Sequence, residues 1–190
     1  MQGPMDRREF LSKSTKSVFL MSAAGSTLAA RNPVKAIAPS DKVRIAGIGS
    51  GGRGSSLVSG FLDHKEVEIA AICDLDPSRG GSLVKHCERR QGKKPARILE
   101  YRKVLDDKNI DAVINATPDH WHGPLTVFSC QAGKDVYVEK PPSHNVWEGR
   151  KMVEAARRYK RIVQVGTQNR SAPYVQKALE FIRGGGIGDI

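Results

Sequence analysis

From Lys42 onward, apolar and polar positions follow a repeating order. Short, nearly continuous apolar runs alternate with stretches whose apolar residues recur at helical spacing. Lys42–Ile48 (KVRIAGI), Val67–Cys73 (VEIAAIC) and Ala112–Ala116 (AVINA) predict strands. Shorter strands are expected at Arg97–Leu99, Val136–Val138 and Ile162–Val165. Helices are predicted over Gly52–Leu62, Pro77–Arg90, Tyr101–Leu105, His122–Ala132 and Val146–Tyr159. Leu57, Val58, Phe61 and Leu62 share one side of the first. Pro77 opens the second, because Pro suits a first helical turn, and Gly133 stops the fourth. Val146, Met152, Val153, Ala156 and Tyr159 offer the last helix a buried face. Strands that are apolar on both faces and separated by helices imply a doubly wound α/β fold with a parallel sheet.

The glycines after the first strand sharpen this picture. Gly47-Ile48-Gly49-Ser50-Gly51-Gly52-Arg53-Gly54 fits GxGxxG at Gly47, Gly49 and Gly52, with a strand before it and a helix after. In such a loop Gly47 would permit the tight turn. Gly49 would let a pyrophosphate approach the backbone, and Gly52 would let helix pack closely on strand. The helix N-terminus adds free N–H groups and a positive dipole end. Asp74, at the end of the second strand, lies 25 residues after Gly49, near the spacing of about 20 expected for a ribose-binding carboxylate. The pattern is that of a Rossmann-type dinucleotide site, with NAD favoured. NADP is the alternative, with Arg53 or Arg79 holding its 2′-phosphate.

Composition narrows the class without changing it. The 190 residues are 39% hydrophobic and 27% charged, a globular balance that excludes disordered and multi-span membrane chains. Cys73, Cys87 and Cys130 are too scattered for a disulfide framework; Cys73 and Cys130 read as buried residues. The net charge is +11. Residues 1–38 hold six basic and two acidic residues, a net of +4, so +7 belongs to the rest. No groove-reading motif or stacking aromatics accompany the basic cluster from Lys85 to Lys103, so it reads as a solvated face rather than a nucleic-acid site.

The first 38 residues read as a leader. A charged segment, DRREFLSK, precedes a short apolar one, VFLMSAAGSTLAA, that is too short to span a bilayer. Arg7-Arg8 followed by Phe10-Leu11 looks like a twin-arginine signal, which predicts export to the periplasm. Ala29 and Ala36 are candidate cleavage points, whereas Pro39 obstructs cutting after Ala38. The expected organisation is a leader over 1–38, a dinucleotide-binding domain over 39–166 and a junction over 167–190.

Three more motifs complete the pattern: Thr117-Pro118-Asp119-His120-Trp121-His122, Glu139-Lys140-Pro141 and Val165-Gly166-Thr167-Gln168-Asn169-Arg170. In this order with the glycine loop, the chain resembles the Gfo/Idh/MocA family of NAD(P)-dependent oxidoreductases from about Lys42 to Ile190. The resemblance implies a Rossmann domain followed by a second, α+β domain that carries most of the substrate site. On this reading the sequence ends near the start of that second domain.

The same resemblance implies roles for individual residues. Gly47, Gly49, Gly51, Gly52, Arg53 and Asp74 would serve the cofactor. Thr117 and Pro118 would line its adenosine and ribose side, with His122 nearby. Glu139 would stand beside the nicotinamide, and Gln168 and Asn169 would reach the cofactor or sugar at the junction. Lys140 would be catalytic, contacting the substrate hydroxyl and moving its proton during hydride transfer. Asp119 stands where the family often has Asn. His120 and His122 form an HxH pair without a third ligand at useful spacing, so no metal is expected. The implied activity is hydride transfer to or from a sugar or polyol, by a homo-oligomer when full length. A cofactor-binding module without activity and an NAD-dependent glycoside-cleaving enzyme are the alternatives. An exported enzyme meets little free NAD, so a cofactor that stays bound and is recycled is expected.

Overall fold

The computed structural model describes residues 41–188; the leader expectations lie outside these residues. Six strands form one sheet: β1 (Val43–Ile48), β2 (Val67–Cys73), β3 (Ala96–Ile98), β4 (Ala112–Asn115), β5 (Asp135–Glu139) and β6 (Val163–Gly166). Their order is β3-β2-β1-β4-β5-β6 and every pairing is parallel. The helices are α1 (Gly52–Phe61), α2 (Gly81–Gln91), α3 (Tyr101–Asp106), α4 (His122–Gln131), α5 (Val146–Tyr159) and α6 (Pro173–Arg183).

Alternation along the strands builds two apolar layers. Ile45 of β1 joins Ile69 and Ile72 of β2 against Leu57 and Val58 of α1 and Leu83, Val84 and Cys87 of α2. Ala46 and Ile48 face the other way, toward Val104 and Leu105 of α3, Leu125 and Cys130 of α4, and Met152 and Ala155 of α5. The sheet is therefore wound with helices on both faces, as continuous apolar strands require. Successive connections run outward in opposite directions from β1 and β4. That reversal opens a crevice at the carboxyl ends of these two strands, the place where such sheets bind ligands.

Most bounds move by a residue, as β3 does from 97–99 to Ala96–Ile98, and three expectations shift for a visible reason. α2 begins at Gly81 rather than Pro77. The carboxylates of Asp74 and Asp76 capture the amides of Asp76 and Ser78, and Gly80 turns left-handed at φ 82°. Asx turns of this kind compete with a helical start. On α5 Met152 and Ala155 are buried and Ala156 and Tyr159 pack half-buried against the core as expected, while Val146 is 90% exposed and Val153 is also exposed. β6 starts at Val163, because the amide of Ile162, exposed before it, goes to the Asp135 carboxylate at 2.9 Å instead of to a neighbouring strand.

Candidate functional site

The crevice is a cleft of about 980 Å³. The glycine loop and the first turn of α1 form one wall, and the ends of β2 and β4 form others. Of the residues singled out from sequence, Gly49, Gly51, Gly52, Arg53, Asp74, Thr117 and Pro118 line it. Gly47, His122, Glu139, Lys140, Gln168 and Asn169 stand outside this lining.

Local geometry redistributes the glycine roles. Gly49 has φ +88°, and a Cβ there would lie 2.5 Å from the Ala116 carbonyl oxygen. It is thus required by the fold at the β1–β4 junction. Gly47 is buried within β1 rather than in the turn, and a Cβ on it would meet the Val58 side chain at 2.7 Å. Gly52, expected to allow close packing, has open space around it. That role falls to Gly54, where a Cβ would sit 1.9 Å from the Gly49 carbonyl oxygen. A bare glycine wall and a helix N-terminus, whose first N–H groups lack internal acceptors, suit a phosphate group.

Asp74 is held at the rim of this wall. The Ser50 amide and hydroxyl both donate to its Oδ2, at 2.8 and 2.7 Å. The Asp76 amide donates to Oδ1 at 3.1 Å. Partial burial acts to raise its pKa, but these hydrogen bonds and nearby Arg79 together hold the carboxyl below its ordinary range. Asp74 is therefore a fixed, ionised acceptor lining the cleft. Behind it, burial with the neighbouring Asp74 and Glu100 charges pushes the Cys73 thiol up to about 12. Cys73 lines the cleft as a neutral group and is no nucleophile.

Of the far wall, sequence reasoning reaches Trp121, within the Thr117–His122 motif, and misses the rest. Leu75, Leu99, Tyr101 and Trp121 contribute apolar surface, with Tyr101 and Trp121 ring centres 5.8 Å apart. Leu75 and Leu99 each closely follow a strand's carboxyl end, and that position was the available signal.

The other end of the site is a set of buried polar contacts. Glu139, 4% exposed, accepts from Arg53 Nε at 2.6 Å and from the Lys140 amide at 2.9 Å. Arg53 is thereby tied to β5, and Arg79 is the cation whose charge acts on the Asp74 carboxyl. Burial and the Glu139 charge push the Tyr137 phenol up, with Arg53 opposing. His122 does not line the cleft: it is 3% exposed, and its ring nitrogens reach the carbonyl oxygens of Pro141 and Thr117 at 2.5 and 2.8 Å. Its neighbour His120 lines the cleft instead. Asn115, fully buried, bonds the Thr117 hydroxyl at 2.7 Å and the His122 carbonyl at 3.1 Å. These contacts clamp the loop after β4 to the turn after β5. The Lys140 side chain projects from that turn, exposed, before a cis Lys140–Pro141 bond. Gln168 and Asn169 are exposed on a short 3₁₀ turn after β6. Among the described residues no cluster of three His, Cys, Asp or Glu side chains could hold a metal. Nor is any described helix long and apolar enough to cross a membrane.

A parallel sheet of this strand order, with a glycine-walled cleft at its switch point and a pinned carboxylate after β2, defines an NAD(P)-binding Rossmann domain. The chain belongs to the Gfo/Idh/MocA family, described as an oxidoreductase family with an NAD-binding Rossmann fold, which it matches over residues 43–167. It is 35% identical over 147 residues to a glycosyl hydrolase family 109 protein of Shewanella baltica, covering 75% of this chain and 32% of that one. Among solved structures it resembles myo-inositol 2-dehydrogenase from Lactobacillus plantarum, with TM-score 0.65 and 25% identity over 78% of this chain and 43% of that one. It also resembles the WlbA dehydrogenase from Chromobacterium violaceum in complex with NADH and UDP-GlcNAcA. There the TM-score is 0.63 and the identity 27%, over 76% and 41% of the two chains. The chain thus spans about a third of the length of the curated relative.

Proposed function

We propose that this chain supplies the cofactor-binding part of an oxidoreductase that moves a hydride between nicotinamide and a carbinol carbon of a sugar or polyol. NAD is preferred over NADP. The observation that carries this reading is Asp74, ionised and held by Ser50 at the rim of a glycine-walled cleft. A bound nicotinamide supplies hydride donor and acceptor chemistry, and the protein positions it. Gly49, Gly51, Gly52 and Gly54 would admit the pyrophosphate, Asp74 the ribose, and Thr117 and Pro118 the adenosine side. Lys140 is assigned the substrate hydroxyl, whose proton it would hold or move. His122, Asn115 and Glu139 position the turn that presents it. Polyol and nucleotide-sugar dehydrogenases among the similar structures support this substrate class.

A second reading has its own support in the glycosyl hydrolase family 109 relative. In it the same hydride step, made transiently on a sugar, would permit elimination at a glycosidic bond. Both readings share the cleft and Lys140. Export by the twin-arginine route is part of the proposal and is supported by Arg7-Arg8 in the leader.

Lys140→Ala in the active protein tests the assignment. NAD affinity should be nearly unchanged, while turnover falls by about 10²–10⁴-fold, the usual contribution of a positioned proton-transfer group. Calorimetry and steady-state kinetics give the two readouts. Wild-type turnover in the variant would make Lys140 structural, and a wild-type protein that binds no NAD would sink the whole reading.

A further inference from the structure

The β2–β3 end of the cleft carries more charge than Asp74 alone. Asp76, Arg79, Glu100 and Arg102 also line it, and both cations are already paired. Arg102 Nη1 donates to Glu100 Oε1 at 2.9 Å, and its guanidinium lies 4.7 Å from the Tyr101 ring centre. Arg79 Nε donates to Asp76 Oδ2 at 3.2 Å. A terminal nitrogen of Arg79 also reaches the glycine loop, where it would lie 3.5 Å from a Cβ built on Gly51.

The backbone of this loop is fixed independently of that pair. The Ser78 amide and hydroxyl donate to Asp76 Oδ1 at 2.8 and 2.6 Å. Arg97 donates to the Pro77 carbonyl and, at 2.7 Å, to the Arg79 carbonyl. What can vary is the partner of the Arg79 guanidinium.

We propose that Asp76 is a second determinant of cofactor choice: by pairing with Arg79 it withholds the cation that would otherwise accept a 2′-phosphate. The inference rests on the assignment of this end of the cleft to the adenosine ribose. A 2′-phosphate placed there would meet two carboxylates, Asp74 and Asp76. Drawing the whole Arg79 guanidinium onto the phosphate would pull its Nε off Asp76 and leave that carboxylate facing the new anion. NAD, with free ribose hydroxyls, makes neither demand. Arg is suited to phosphate by its planar, multidentate donor set, so an unpaired Arg79 in this position would serve NADP.

The test is calorimetric titration of the full chain with NAD and with NADP, for wild type, Asp76→Asn, Arg79→Gln and the double variant. Asn keeps the oxygen that Ser78 requires, so the turn persists while the charge is lost. Asp76→Asn should tighten NADP binding about tenfold, the order expected when Arg79 is free to make one charge-assisted hydrogen bond to the phosphate. NAD binding should change by less than about twofold. The tighter NADP binding should vanish in the double variant. Equal tightening with Arg79→Gln present would overturn the role of Arg79 and assign the effect to lost negative charge. Unchanged NADP binding in Asp76→Asn, with NAD binding intact, would overturn the inference and leave the cleft assignment standing. Absence of NAD binding in wild type would overturn the cleft assignment itself, and the inference with it.

Discussion

Asp74 shows how one side chain is made ready before any ligand arrives. Two donors from Ser50 and one from the Asp76 amide fix its rotamer, so a ribose diol would meet an acceptor already in place. Asp74→Ala should weaken NAD by roughly 1.5–3 kcal/mol, the range for hydrogen bonds to a charged group, and NADP much less. Equal loss for both cofactors in fluorescence titrations would contradict the ribose assignment. The same bonds make Asp74 a pH-dependent contributor to stability. Its folded pKa lies below the ordinary value of 3.8. Its stabilisation is therefore present above that value and lost as pH falls through the folded pKa. The stability difference between wild type and Asp74→Asn in urea unfolding should hold at neutral pH and shrink below pH 3.8. A constant difference across that window would show that the hydrogen bonds do not depend on ionisation.

At the scale of elements, β1, its glycine loop and α1 act as one packed unit. The close approach is between Gly54 and the Gly49 carbonyl, not at Gly52. Gly54→Ala must displace backbone, and overpacking of this kind costs about 1–3 kcal/mol. Gly52→Ala meets open space in a helical first turn and should be neutral or slightly stabilising. Thermal unfolding of the two variants gives the ranking, and equal destabilisation would refute it. Sequence alone could not assign these roles. GxGxxG marks a spacing that Gly47, Gly49 and Gly52 satisfy, while Gly54, a glycine outside that motif, carries the contact. Strand and helix positions were legible because apolar periodicity is a local property. The start of α2 was not, because it depends on Asp74 and Asp76 capturing nearby amides. The same limit applies at the site. The loop and Asp74 were readable from spacing. His122 was not placed behind the cleft wall, nor Arg53 tied to Glu139, because both depend on contacts between β4, β5 and α1 that are distant in sequence.

At the scale of the whole chain, the proposed twin-arginine export and the cofactor-binding domain would each make the other physically intelligible. Transport through the general secretory route delivers unfolded chain, which has no cleft to hold a dinucleotide. The twin-arginine route carries folded protein, so Gly49, Ser50 and Asp74 could assemble their cleft and load cofactor where NAD is abundant. The weak hydrophobicity of VFLMSAAGSTLAA, with Ser and Gly inside the run, suits the second route. Arginine and lysine carry the same charge but differ in donor geometry, so a receptor that reads guanidinium groups separates them where simple electrostatic attraction would not. Changing Arg7-Arg8 to Lys-Lys should therefore stop export while leaving the folded domain and its NAD affinity unchanged. Fractionation of cells expressing either form, with NAD titration of the purified proteins, reads both. Export of the Lys-Lys form at the wild-type level would assign the leader to the general route and remove the reason for loading cofactor before transport.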